Sequence, residues 1–88
     1  MNNSTIIQTI WNQNETGLKV LLEPWAAEFI IPSKSTLTIN ILHTEPGVIE
    51  TVVDPNYLTI WLWRGCRAEV SLDGKDLTEP FLSVPAPL

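Results

Sequence analysis

Apolar residues recur at every second position along most of this 88-residue chain, and a period of two predicts strands rather than helices. The first run is Ser4 to Asn12, where Ile6, Gln8 and Ile10 alternate with Ile7, Thr9 and Trp11. A polar turn to Gly17 follows, and then Leu18, Val20 and Leu22 oppose Lys19, Leu21 and Glu23 in a strand stopped by Pro24. Ala26-Ala27 could support a helical turn, but Pro32 arrives too soon for a helix, so a short third strand is predicted from Glu28 to Ile31. Thr36 to His43 alternates cleanly, with Leu37, Ile39 and Ile41 on one face. Pro46-Gly47 and Asp54-Pro55-Asn56 are turn chemistry, and they bracket a strand from Val48 to Val53.

The next run, Tyr57 to Arg64, is apolar on both faces. Tyr57, Thr59, Trp61 and Trp63 share one side; Leu58, Ile60 and Leu62 share the other. A strand of that kind needs two covers, and a chain this short supplies one easily. Cys66, Ala68, Val70 and Leu72 then form the inward face of a strand whose Arg67, Glu69 and Ser71 point out. Asp73-Gly74 is a strong hairpin signal, with Lys75 to Thr78 as the returning strand. The closing segment from Glu79 holds three of the seven prolines, so it is expected either to be mobile or to lie across the surface as a strap. The organisation predicted is one domain over residues 1–78 with a Pro-rich tail, 79–88. The fold class is all-β: an antiparallel β-sandwich or small partly open barrel of about seven short strands, dominated by sequential hairpins.

The runs Leu22-Glu23-Pro24-Trp25-Ala26-Ala27-Glu28-Phe29, Tyr57-Leu58-Thr59-Ile60-Trp61 and Leu72-Asp73-Gly74-Lys75-Asp76-Leu77 resemble a type of small, uncharacterised bacterial all-β protein. The resemblance spans residues 18–77. It implies a β fold and a bacterial source, and it implies no activity.

Composition narrows the partners. Ten acidic against five basic side chains give a net charge of −5, which repels a phosphate backbone or an anionic membrane, so no nucleic acid and no membrane partner is expected. One cysteine allows no internal disulfide, and the N-terminus lacks the basic and apolar regions of a signal peptide. A cytoplasmic protein is the expectation.

Chemistry finds little to build on. His43 and Cys66 are single copies, short of the three or four ligands a metal needs, so neither a metal nor a cofactor is implied. Cys66 could be a nucleophile with His43 as base, but its place beside Ala68 and Val70 in the alternation reads as a small buried hydrophobe. Glu23, Glu50 and Glu69 could serve acid–base work, yet nothing in their spacing defines a cleft. Glu23-Pro24-Trp25 reads as a structural corner in which Glu23 could pair with Arg64.

The aromatic side chains remain. Tyr57, Trp61 and Trp63 stand about 13 and 7 Å apart along an ideal strand, a spacing that suits the sandwich interior, a partner or a sugar. The interior is the favoured place for this face. An enzyme is disfavoured. The leading expectation is a non-catalytic interaction module that self-associates, as a homodimer for example, or docks a protein partner through an apolar sheet face. The alternative is a small ligand or glycan on an aromatic face, with Tyr57, Trp61, Trp63 and Trp25 as the binding residues.

Overall fold

A computed structural model describes residues 4–87, and the chain is all-β. Eight strands are formed: β1 Ser4–Trp11, β2 Leu18–Glu23, β3 Ala27–Ile31, β4 Thr36–His43, β5 Glu50–Val53, β6 Tyr57–Trp61, β7 Arg67–Leu72 and β8 Lys75–Asp76. They build two packed sheets, ordered β1-β4-β7-β8 and β3-β2-β6-β5, and neither closes into a barrel.

The first sheet is antiparallel throughout, but in the second β2 runs parallel to β6, with Lys19 opposite Tyr57 and Glu23 opposite Trp61. Hairpins join β2–β3, β5–β6 and β7–β8 alone. The other connections cross between sheets, so hairpin succession does not order the strands as the sequence reading expected. Alternation specifies which face a residue occupies; it carries no information on the neighbouring strand.

The inward faces make the core. Leu37, Ile39 and Ile41 of β4 and Ala68 and Val70 of β7 pack against Val20 and Leu22 of β2, Ala27, Phe29 and Ile31 of β3, and Ile60 of β6. Asp73 and Gly74 both take positive φ, as a two-residue Asp-Gly hairpin requires.

The tail belongs to the same core. A 3-10 turn, Pro80–Ser83, buries Leu82, and Ala86 is buried beyond it. Ala86 N–H donates to the Cys66 carbonyl at 2.8 Å and its carbonyl accepts from Gly65 N–H at 3.0 Å. Arg67 Nε donates to the Ser83 carbonyl at 3.0 Å, and Trp25 Nε1 to the Val84 carbonyl at 3.2 Å. These bonds run to both sides of the sandwich: the strap ties the start of β7 to the β2–β3 turn. No helix among the described residues is long and apolar enough to cross a membrane.

Candidate interaction surfaces

The run from Tyr57 does not continue as a strand to Arg64. It leaves the sheet after Trp61: Leu62 N–H donates to the Glu23 carbonyl at 3.0 Å, and a turn closes between Trp63 and Cys66 with Gly65 at φ 91°. The register decides the faces. Leu58 lies opposite Val20 and Ile60 opposite Leu22, so these side chains enter the core, whereas Tyr57 and Trp61 share the outer face with Lys19 and Glu23. Tyr57 and Trp61 are therefore not in the sandwich interior, whereas Trp63, beyond the strand, packs against the core. Aliphatic side chains on β2 had already claimed that layer.

Nor do the three rings form one platform. Trp61 is 39% exposed on the outer face, and Tyr57 is half-buried two positions before Thr59 on the same side. Trp63 belongs to a different environment: its Nε1 donates to the Glu45 carbonyl at 2.9 Å, and its ring meets that of His43 edge-on with centroids 5.2 Å apart. A Cβ at Gly47 would fall within the Trp63 ring, so only glycine lets the β4–β5 loop close over it. Beside it an open groove of about 490 Å³ is lined by Thr44, Glu45, Pro46, Trp63, Arg64 and Gly65. Trp25 is the tail clamp already described. A sugar ring would find Trp61 and Tyr57 on one surface, not an array of three or four.

The outer face of the second sheet is only partly apolar. In register order, Glu23, Trp61 and Glu50 form one row; Glu28, Leu21, Thr59 and Val52 the next; Ile30, Lys19 and Tyr57 the third. Lys19 pairs with Glu28 at 3.6 Å, and the other ion pair among the described residues is Lys34–Glu15. Glu23 thus does not pair with Arg64. Trp61 has Glu23 and Glu50 as its register neighbours on either side.

The reactive groups are dispersed or enclosed. Cys66 is fully buried, and burial pushes its thiol above the ordinary value despite an opposing backbone hydrogen bond with Trp63. A thiol held in its neutral form is a poor nucleophile. His43 spends its ring on Trp63 and, through Nδ1, on the Glu45 carbonyl at 3.1 Å. No group of three or more His, Cys, Asp or Glu side chains suited to a metal occurs among the described residues.

A different surface stands out, one to which sequence reading assigned no role. β1 ends its sheet, and no strand among the described residues pairs with its outer edge. It is eight residues long and carries no charge, while every other edge strand has one: Glu28 in β3, Glu50 in β5, Lys75 and Asp76 in β8. Charges on edge strands oppose strand addition, and a long uncharged edge invites it. Ile7 is 66% and Trp11 61% exposed on its outer face. The signal was present in the sequence as Ser4-Thr5-Ile6-Ile7-Gln8-Thr9-Ile10-Trp11, but only the sheet order shows that this strand is an edge.

The direction of the free main-chain groups follows from β4. Thr36 donates its N–H to Asp73 Oδ1 at 2.9 Å and accepts Asp73 N–H at 3.0 Å, so its main chain faces β7. Trp11, opposite Thr36, is consequently a non-hydrogen-bonded partner, in agreement with the Asn12 N–H bond to the Ser35 carbonyl at 3.0 Å. Alternation then turns the N–H and C=O groups of Thr5, Ile7, Thr9 and Trp11 outward. No protein-family model matches the chain, nor does any curated protein or solved structure.

Proposed function

We propose that this chain is a non-catalytic interaction module that accepts an extended polypeptide strand on the outer edge of β1. The observation that carries the reading is the uncharged edge itself, with the main chain of Thr5, Ile7, Thr9 and Trp11 turned away from β4 and unpaired by any strand among the described residues. Strand addition uses such groups for affinity and the alternating side chains for selectivity. The surface differs from the sheet face that sequence favoured, because carboxylates and a lysine interrupt that face.

The reading is tested by selecting displayed random peptides on the immobilised protein, with a Thr9→Pro variant in parallel. Proline removes an outward N–H while leaving the β1–β4 ladder its bonds. The wild type is expected to enrich uncharged, β-branched or aromatic segments that the variant does not retain. Equal enrichment on both, or none on the wild type, sinks the reading.

A further inference from the structure

We infer that the strand accepted by β1 is β1 of a second copy of this chain, added antiparallel about a two-fold axis through Gln8. This rests on the strand-addition reading and specifies its occupant.

The register is fixed by two requirements. Inward side chains must meet inward side chains, and outward main-chain groups must meet one another. Centring the pair on Gln8 satisfies both from Thr5 to Trp11. Ile7 then exchanges both its bonds with Thr9 of the second copy and Thr5 with Trp11, each pair occurring twice by symmetry. All the outward groups of Thr5, Ile7, Thr9 and Trp11 are used. Moving the axis to Ile7 or Thr9 preserves the faces but sets the outward groups of Trp11 opposite residue 3, or those of Thr5 opposite Gln13, both beyond the bounds of β1.

The side chains agree with this register. On the core side, Ile6 meets Ile10 of the second copy on either side of a Gln8–Gln8 contact. These are non-hydrogen-bonded pairs, in which side chains approach most closely. On the outer side Ile7 meets Thr9, and Trp11 lies over Thr5. Ile6, exposed although it faces the core side, gains a neighbour there.

Charge selects the edge. A chain of net charge −5 repels its own copies, and the edges at β3 and β5 would bring Glu28 or Glu50 into the contact. β1 is the edge where two copies meet with no charge in the strand pair. The product is one continuous sheet with four strands from each copy. A contact built on one strand pair falls at the small end of specific interfaces, below about 1,200 Å², so dissociation on the order of 1–100 μM is expected.

Sedimentation velocity across about 1–500 μM reads the equilibrium directly. The wild type is expected to pass from monomer to dimer, and both Ile7→Lys and Thr9→Pro to weaken dimerisation at least about tenfold with unchanged circular dichroism. Should Thr9→Pro fail to fold, Ile7→Lys decides alone, since residue 7 is on the surface of the monomer. Register is read by cross-linking. Gln8→Cys places thiols on the axis with Cα atoms about 4.5 Å apart, within disulfide reach, whereas Thr5→Cys leaves them about 20 Å apart. Mild oxidation is expected to give a covalent dimer with Gln8→Cys alone; Cys66 is buried in each variant.

A wild type that stays monomeric throughout overturns the inference, as does a dimer undiminished by Ile7→Lys or one that cross-links through residue 5 and not 8. Monomeric protein that still enriches peptides through Thr9 overturns the second copy and leaves strand addition standing. Failure of both experiments removes the two together.

Discussion

Asn12 shows how much one side chain can hold. Its amide nitrogen donates to the carbonyls of Thr16 and Ile31 at 2.9 Å and of Pro32 at 3.3 Å, while its Oδ1 accepts Asn14 N–H at 2.9 Å. It is buried, and it staples the β1–β2 turn to the β3–β4 turn. Asn12→Ala leaves those carbonyls without their donor and is expected to cost about 2 kcal/mol. Asn12→Asp is expected to cost more, about 3 kcal/mol, because it sets a carboxylate against carbonyl oxygens. Urea denaturation of the two variants checks the order; equal losses would mean that the amide nitrogen is not the stabilising group. Asparagine in a polar run is legible as a turn residue. Its distant partners are not, since they come from a turn that sequence separation hides.

At the scale of elements, strand existence was legible and strand ends and neighbours were less so. Thr36–His43 forms where its alternation placed it, because Leu37, Ile39 and Ile41 all reach the core. The strand from Tyr57 stops early because Gly65 and the crossing to β7 end it, and its faces are settled by pairing with β2. Proline-rich composition left two fates open for the tail, and the buried Leu82 and Ala86 decide between them. Leu82→Ala is expected to destabilise by about 2–5 kcal/mol and to loosen the strap over Cys66. Thiol-labelling kinetics provide the readout: the Cys66 rate should rise in Leu82→Ala and stay near the wild-type rate in Trp61→Ala. Equal rates in the wild type and Leu82→Ala would show that the strap does not guard Cys66.

For the whole molecule, all-β class and a two-layer core follow from the period of two, while the free edge depends on sheet order, to which that period is blind. Acid response is also a global property with local causes. The Asp73 carboxyl is held below its ordinary value by Thr36 N–H first and the Ser35 side chain second; that of Asp76 by the Thr78 hydroxyl and N–H. A carboxyl whose folded value is depressed adds stability that is complete above its unfolded value, about 4, and lost as pH falls through the folded one. Asp73→Asn should therefore lower the melting temperature at pH 7 and flatten its fall below about pH 4. An acid limb as steep as that of the wild type would count against this assignment.

The parallel pair β2–β6 bears on how the molecule comes into being. Its partners lie on the order of forty residues apart, and loop closure over that span must precede any reward from pairing, which places such topologies among slower folders. On the ribosome, β2 and β3 emerge as a hairpin with an apolar face and wait for residues 32–56 before β6 arrives. During that interval nascent chains would be protected less by their own core than by whatever shields unfinished sheets in the cell.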